Sequence, residues 1–413
     1  KRQYGFNASY RNNVNPYERL MSVVDKREKK TFNTSLWAEA KIIKGLTFKT
    51  LFSYNSDMRI DEYFLPANVQ PNNGSTTQGT TSTLSISRTG IQNTLTYNTT
   101  LNKKHALEIL LGQSIDERNE FRTSLGAMDY PLESVPTLNM GATPTEASSS
   151  RTIVRTSSLF GRVNYNYMSK YYATASFRVD GSSKFAKKNR YGLFPSASLA
   201  WNFSEEDFMK EYKSILSNGK LRASWGLTGN NRVGEYEAYA LLKMAKAASN
   251  NLPSGVYPFE NNQNSIGMVP ISLANKDLKW ETTEQWNVGL DLGFFDERIG
   301  INVDWYMKTT RDLLLDASLP YSTGYYSAMK NVGKVRNSGL EFTLNTININ
   351  RNGFRWSTNF NIAFNKNKVL ELAENQTSLL TSAYFDQTYN SQPTYIAKKG
   401  LSLIHISEPT RRS

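Results

Sequence analysis

The stretch "WETTEQWNVGLDLGFFDERIGINVDWYMKTT", residues 280–310, alternates apolar and polar side chains in two consecutive runs. The mainly apolar parity of the first run comprises Trp280, Thr282, Glu284, Trp286, Val288, Leu290, Leu292 and Phe294. After Asp296-Glu297-Arg298 the alternation restarts with Ile299, Ile301, Val303, Trp305 and Met307. A period of two predicts β-strands, and two such runs around a short polar break predict a hairpin with one apolar and one polar face.

The same period recurs along most of the chain and predicts an all-β protein. Strands are expected near residues 3–10, 31–43, 46–58, 88–101, 106–125, 153–167, 171–180, 192–203, 219–229, 280–294, 299–312, 332–349 and 354–368. Short connections alternate with long ones, which are predicted at 11–30, 59–87, 126–152, 181–191, 230–279 and 313–331. One short-side connection is expected to hold a helix, because Ser204 and Asp207 resemble a capping box and Asn218-Gly219 would close it.

Two fold classes place an apolar strand face differently: a soluble sandwich buries it, and a membrane barrel turns it toward lipid. Many of the predicted strands run about 10 to 15 residues, longer than the 5 or 6 usual in soluble sheets. The polar parity is rich in Asn, Ser, Thr and Gly. Aromatic residues collect near strand ends, at Trp280, Phe294-Phe295, Tyr165 to Tyr172 and Trp201, as in the interfacial girdles of membrane barrels. Short turns opposite long loops are typical of outer-membrane barrels. We therefore predict a transmembrane antiparallel β-barrel with its apolar face toward lipid.

The strand count predicts that this barrel is incomplete. Thirteen is odd, whereas bacterial single-chain barrels have even strand numbers. Plugged outer-membrane transporters have about 22 strands. We expect residues 1–400 to form a partial barrel, about 13 of about 22 strands. Residues 401–413, "LSLIHISEPTRRS", resemble translated sequencing-adapter read-through, and we interpret them as a non-native tail.

Composition narrows the possible functions. The 413 residues carry no Cys and a formal net charge of +13, so disulfides and thiolate chemistry are excluded. The sequence contains no run of about 18 apolar residues, so no transmembrane helix is predicted. Lys and Arg are scattered, which argues against nucleic acid. The densest cluster, Lys184, Lys187, Lys188 and Arg190, is interpreted as a solvated loop, with anionic headgroups or an acidic ligand as the alternative.

Nothing in the sequence predicts an enzyme, a metal site or a cofactor. The two histidines, His105 in a short turn and His405, have no ligand partner at metal spacing and no nucleophile beside them. Asp291, Asp304 and Glu341 lie on predicted strands and are interpreted as lumen-facing charges. "DGSSKF" (180–185) and "RYGLFPS" (190–196) lack a following helix N-terminus and are interpreted as a structural hairpin loop rather than a phosphate cradle.

Four segments resemble the SusC/RagA family of TonB-linked outer-membrane transporters of Bacteroidetes-type bacteria. They are "YYATASFRVDGSSKFAKKNRYGLFPSASLAWNFSEEDFM" (171–209), "LRASWGLTGNN" (221–231), "DLKWETTEQWNVGLDLGFFDERIGINVDWYMKTTRDLL" (277–314) and "NVGKVRNSGLEFTL" (331–344). The resemblance covers about residues 150 to 370, in family order. It implies a 22-stranded barrel with an N-terminal plug and a TonB-contacting segment. The plug and the TonB-contacting segment are not found in these residues. The resemblance also implies a SusD-like lipoprotein lid and uptake of oligosaccharides or peptides driven by TonB with ExbB and ExbD.

The long connections hold the candidate ligand or lid contacts, because sugar rings stack on exposed aromatic side chains. These candidates are Tyr236, Tyr239, Tyr257, Phe259, Tyr321, Tyr325 and Tyr326. The competing interpretation is that they pack the loops or meet the lipoprotein. Two other functions remain open from the sequence: a surface binding or adhesion barrel, and a passive porin.

Overall fold

The computed structural model describes residues 16–69, 76–244, 268–325, 327–351, 353–372, 378–381 and 395–401. Most of these residues are in strands. The strands are β1 (Val24–Ile43), β2 (Leu46–Leu65), β3 (Gln78–Leu101), β4 (His105–Met128), β5 (Thr143–Tyr167), β6 (Tyr171–Ser182), β7 (Tyr191–Asn202), β8 (Leu216–Asn230), β9 (Leu242–Met244), β10 (Met268–Pro270), β11 (Glu281–Phe294), β12 (Ile299–Arg311), β13 (Leu314–Ser318), β14 (Ser327–Asn331), β15 (Lys334–Arg351), β16 (Phe354–Glu371), β17 (Ser378–Thr381) and β18 (Tyr395–Lys398).

Twelve strands form one sheet in the order β1-β2-β3-β4-β5-β6-β7-β8-β11-β12-β15-β16. They correspond to twelve of the thirteen predicted strands, and the strand predicted at 3–10 lies outside the described residues. The pairs β9–β10, β13–β14 and β17–β18 form small separate hairpins. Among the described residues, helical structure comprises α1 (Pro16–Ser22) and short 3-10 segments at Ala67–Val69, Leu138–Met140, Lys187–Asn189, Phe203–Glu205, Asp207–Tyr212 and Tyr321–Thr323.

None of the helices among the described residues is long or apolar enough to cross a membrane.

The register of the sheet aligns apolar with apolar across strands. Val288 of β11 lies opposite Trp305 of β12 and Ala223 of β8. The same row continues through Leu199 and Ala173 on one side and through Leu340 and Phe364 on the other. One residue further along, the row is polar and comprises Thr174, Ser198, Ser224, Asn287, Tyr306, Gly339 and Asn365. A slip by one residue would exchange the two faces, so this pattern fixes the register.

Several strands extend further than predicted. β2 ends at Leu65 and β3 begins at Gln78, so most of the predicted loop 59–87 is strand. The predicted loop 126–152 is shortened in the same way by β4 and β5. These extensions are rich in Ser, Thr, Glu and Arg on both parities, as in "TEASSSRT" (145–152). Backbone pairing continues there, but the alternation of apolar and polar residues does not. The predicted strands were therefore shorter than the observed strands.

The short turns are tight, and left-handed backbone conformations form them. Gly45 and Gly353 have φ of 85° and 81° in the β1–β2 and β15–β16 turns. Non-glycine residues adopt positive φ at Asn102-Lys103, Met168-Ser169 and Phe295-Asp296-Glu297. All of these turns lie in short connections predicted from the sequence, whose placement is therefore confirmed.

The predicted helix after β7 is not an α-helix. Residues 203–212 form two short 3-10 segments, and the second segment has Glu206 rather than Ser204 at its N-cap. Ser204 is buried, and its hydroxyl donates to Asn202 Oδ1 at 2.8 Å instead of capping a helix. β8 already begins at Leu216, before the predicted stop at Asn218-Gly219. The last residues of the predicted helix instead pair with β11, where Leu216 lies opposite Phe294, so strand pairing prevailed over local propensity.

The described residues fall into two compact units, each with its own small apolar cluster. In the unit drawn from 1–39, 49–93 and 114–156, Phe64, Ala127 and Tyr130 are buried together. The Phe64 and Tyr130 rings meet edge to face at 5.0 Å. In the unit drawn from 40–48, 94–113 and 157–413, the cluster comprises Phe185, Ala186, Val233, Ala238 and Leu278.

Candidate functional site

The apolar face of the second unit is uncovered. Val288 is 44% exposed, Trp305 41%, Leu340 42% and Phe364 61%. The apolar parity of β11 is unbroken from Trp286 to Phe294, and that of β12 from Ile299 to Met307. Each of these spans nine residues, the length that a tilted strand needs to cross a hydrocarbon layer. The apolar face therefore has the extent of a lipid-facing band rather than that of a buried core.

The opposite face carries a charged cluster across β8, β11 and β12. The Arg222 guanidinium on β8 donates from Nε to Asp291 Oδ2 at 2.7 Å and from Nη2 to Asp304 Oδ1 at 3.0 Å. Asn302 Nδ2 donates to Asp291 Oδ1 at 2.8 Å. Arg222 Nη2 also donates to Asp291 Oδ1 at 2.8 Å, so two parallel bonds join this pair, which is the strong, orienting type of ion pair. Asp291 and Asp304 were predicted to face the lumen, and their common face with polar neighbours fits that prediction. Arg222 was not predicted to belong to this cluster, although its place on the polar parity of "LRASWGLTGNN" indicates that it lies on the same face.

Gly289 makes room for this cluster. It is paired with both Arg222 and Asp304 in the ladder. A Cβ placed there would lie 2.7 Å from Arg222 Nη2 and against Asp304 Oδ1. A larger residue would therefore displace the guanidinium from its carboxylates. Glu341, the third strand carboxylate singled out from the sequence, lies opposite Asp304 and is exposed.

The long connections are held together by the buried cluster of the second unit. Phe185, from "DGSSKF", is fully buried beside Val233 and Leu278, and Trp280, Leu314 and Met329 pack around the cluster. Three different connections, 183–190, 231–280 and 312–333, therefore contribute to one core. This packing supports the interpretation of "DGSSKF" as part of a structural loop rather than a phosphate cradle.

Trp280 belongs to this loop core, which corrects its assignment to a lipid girdle. Its Nε1 donates to the Arg190 carbonyl at 3.1 Å, and its ring lies 5.3 Å from Phe185 and 5.5 Å from Phe194. Phe194 is buried because Gly229 has no side chain, and a Cβ at Gly229 would strike the Phe194 ring. Sequence alternation alone could not separate Trp280 from Trp286, because loop packing decides the difference.

The basic cluster at 184–190 is only partly the solvated loop that was predicted. The Lys184 side chain is 18% exposed, and its Nζ donates to the Val233 carbonyl at 2.7 Å and lies 3.6 Å from Glu235. Lys188 is exposed and pairs with Asp277 at 3.4 Å. Asn189 donates to the Asp277 carbonyl at 2.9 Å. Lys184 thus links two connections, since its charge meets partners from the neighbouring loop.

Of the candidate ligand contacts, the structure describes some and not others. Tyr236 and Tyr239 are each 41% exposed on the connection after β8, beside buried Ala238. Tyr325 is half-buried, and Tyr321 begins a 3-10 turn whose side chain is not described. Tyr257, Phe259 and Tyr326 lie outside the described residues. The role of all seven residues stays a prediction.

The described residues hold no group of three or more His, Asp or Glu side chains placed to bind a metal ion. His105, predicted in a short turn, is the first residue of β4. Its Nδ1 lies 2.8 Å from the Tyr165 hydroxyl, and its ring lies 4.8 Å from that of Tyr167. The imidazole is part of an aromatic group at the short-turn end of the sheet.

Glu206 organises the connection between β7 and β8. Hydrogen bonds from Tyr171, Lys170 and Trp201 hold the pKa of the Glu206 carboxyl below its ordinary value, and burial opposes them. The Glu206 hydrogen bond raises the pKa of Lys170, against the opposing effect of desolvation. The Lys170 Nζ to Glu206 Oε2 distance is 3.0 Å. The pair fastens the connection to the neighbouring turn.

Comparisons with known proteins agree with this architecture. The sequence matches the family described as "TonB dependent receptor-like, beta-barrel" over residues 1–403. It is 36% identical over 371 residues to TonB-dependent receptor P3 of Formosa agariphila, covering 89% of this chain and 36% of that protein. It is 39% identical over 216 residues to TonB-dependent receptor SusC of Bacteroides thetaiotaomicron, covering 52% of this chain and 21% of SusC. The RagAB peptide transporter structure superposes with a TM-score of 0.80 at 23% identity, covering 92% of this chain and 40% of that one.

A long antiparallel sheet with one lipid-type face and one polar, charged face defines the class of β-barrel membrane proteins. Within that class, the chain belongs to the TonB-dependent receptor family and is of the SusC/RagA kind. It spans little more than a third of the length of receptor P3.

Proposed function

We propose that this chain forms part of the barrel wall of an outer-membrane importer that takes up oligosaccharides with energy from TonB. The observation that carries the proposal is the contrast between the two faces of one sheet. An exposed apolar row runs through Val288, and a hydrogen-bonded polar row runs beside it through Asn287 and Ser224. Such a wall separates lipid from an aqueous lumen.

The long-loop end is the proposed place of cargo and lid contact. The buried cluster around Phe185 fixes three connections, and Tyr236 and Tyr239 remain exposed above it. A rigid scaffold that carries exposed aromatic residues on loops is a common basis of specific binding. We assign a SusD-like lipoprotein to this end, and TonB with ExbB and ExbD to a plug domain of the complete receptor. Peptides are the alternative cargo.

The proposal is tested by uptake in cells that express the complete receptor from its gene. Labelled oligosaccharides and labelled peptides would be supplied to cells with and without TonB. We expect receptor-dependent accumulation of an oligosaccharide that is lost without TonB. Receptor-dependent entry that persists without TonB would indicate a passive porin. Surface binding without entry would indicate an adhesion barrel, and accumulation of peptides alone would overturn the cargo assignment.

A double variant and a control variant test the loop contacts. Tyr236→Ala with Tyr239→Ala should weaken oligosaccharide capture or co-purification of the lipoprotein. Tyr212→Ala, which removes an exposed tyrosine at the short-turn end, is the matched control and should leave both unchanged. Equal effects of both changes would show that the loop tyrosines have no particular role.

A further inference from the structure

A depression interrupts the apolar face across β6, β7 and β8, toward the short-turn end. Its floor includes Ala173 and Ala223, and the next row toward the short-turn end carries the larger side chains Tyr171, Trp201 and Leu221. Leu199 lies in the same row between the two alanines, and Tyr165, Trp201 and Leu221 border the groove. The groove has a volume of about 520 Å³, and its wall is almost wholly apolar. An elongated hydrocarbon fits such a groove by shape and by chemistry.

Hydrogen bonds and a ring contact hold the short-turn end of this groove in place. Trp201 Nε1 donates to Glu206 Oε1 at 3.1 Å, and the Trp201 ring meets Phe203 edge to face at 5.8 Å. Glu206 is held in turn by Lys170 at 3.0 Å. A preformed groove costs less ordering on binding than one that must assemble.

Two exposed lysines lie beside the same end. Lys103 and Lys104 form the β3–β4 turn and are exposed, and within the described residues neither side chain has a hydrogen bond or ion pair. The Met168 amide donates to the Lys104 carbonyl at 2.8 Å, which joins this turn to the β5–β6 turn. The next residue, His105, contacts the hydroxyl of Tyr165, which borders the groove. Two positive charges therefore lie where an apolar ligand in the groove would leave the membrane interior.

We propose that this groove and the Lys103-Lys104 turn form a binding site for one anionic glycerophospholipid. One acyl chain lies between the row of Ala173, Leu199 and Ala223 and the row of Trp201 and Leu221, and the lysines meet the headgroup phosphate. The inference rests on the proposed membrane-spanning function. It goes beyond that function because a bulk lipid layer requires neither a groove nor charge selectivity. The site predicts a lipid that stays bound when the surrounding lipids are removed.

The test uses the complete receptor, purified in mild detergent and equilibrated with phosphatidylglycerol and phosphatidylcholine in equal amounts. Native mass spectrometry then measures the lipid that is retained. We expect one retained phosphatidylglycerol. Ala173→Leu with Ala223→Leu fills the groove and should abolish retention of both lipids, whereas Val288→Leu on the same face should not. Lys103→Gln with Lys104→Gln should reduce the preference for phosphatidylglycerol by about tenfold or more, since each lysine near an anionic headgroup contributes roughly fivefold.

Lys44→Gln, a change in another short turn, is the matched control for charge and should leave the preference intact. Equal retention by the groove-filled variant would overturn the proposal, as would an equal loss of preference in the Lys44 variant. Receptor recovered from the outer-membrane fraction in heat-modifiable form shows that the variants are assembled. With that established, a negative result counts against the lipid site alone. Receptor absent from that fraction even in the unchanged protein would overturn the proposed function and the lipid site together.

Discussion

At the scale of single residues, neighbouring positions on one strand face different environments. Val288 and Asn287 are adjacent on β11, yet one pairs with Trp305 in the apolar row and the other donates to Ser224 Oγ at 3.2 Å in the polar row. Parity along the strand was sufficient to predict this difference from the sequence. The ion cluster was not predictable in the same way, because Arg222 meets Asp291 and Asp304 only through the register of three strands.

Arginine at each of the two β11 positions should therefore have unequal costs. Val288→Arg places a guanidinium near the middle of the apolar band, at an expected cost of roughly 2–4 kcal/mol of folding free energy. Asn287→Arg faces water or protein and should cost much less. Urea unfolding of the complete receptor in lipid vesicles measures both. Equal destabilisation by the two variants would contradict the assignment of the faces.

Acid should weaken the contact that Glu206 makes at the short-turn end. Because the pKa of Glu206 is lowered in the folded protein, its stabilising effect is fully present above its ordinary pKa of 4.5. The effect is lost as the pH falls through the depressed value. The Tm difference between the unchanged receptor and the Glu206→Gln variant should shrink as the pH is lowered from 7 to about 3. Glu211→Gln, on the same connection, is the control. A Tm difference that does not change with pH would contradict this account.

At the scale of elements, the strands were predictable and the connections were only partly so. Alternation located the twelve strands of the sheet, because lipid and water on opposite faces impose a period of two. It missed the polar extensions of β3 and β5, where both faces are polar. It also could not show that Phe185 and Trp280, 95 residues apart in the chain, belong to one loop core. A helix was predicted between Ser204 and Asn218-Gly219, because the local signals in this segment took no account of the tertiary strand pairing.

The loop core should loosen when its centre is removed. Phe185→Ala empties a fully buried position, and such changes cost roughly 3–5 kcal/mol in a packed core. The cost should be confined to the connections, since the strands below are paired independently. Hydrogen exchange at amides 231–240 should accelerate while exchange in β11 stays slow. Phe208→Ala, at an exposed position, should change neither, and equal exchange in all three proteins would contradict the packing described for Phe185.

At the scale of the whole molecule, the short turns and the long connections should lie on opposite sides of the membrane. Gly324 lies in a long connection and Gly353 in a short turn, and a side chain added at either would meet nothing within 4 Å. An epitope inserted at Gly324 of the complete receptor should be labelled on intact cells. One inserted at Gly353 should be labelled only after the outer membrane is permeabilised. The reverse result would invert the orientation proposed for cargo and lipoprotein contact.

The central claim is that the apolar face of the sheet meets lipid and the polar face meets an aqueous or protein-lined lumen. Spin labels at positions 288 and 287 of the complete receptor in vesicles test it most directly. The label at 288 should relax with oxygen, which concentrates in the hydrocarbon, and the label at 287 with a water-soluble relaxant. Equal accessibility of the two labels to the water-soluble relaxant would contradict the assignment of this sheet to a membrane barrel wall.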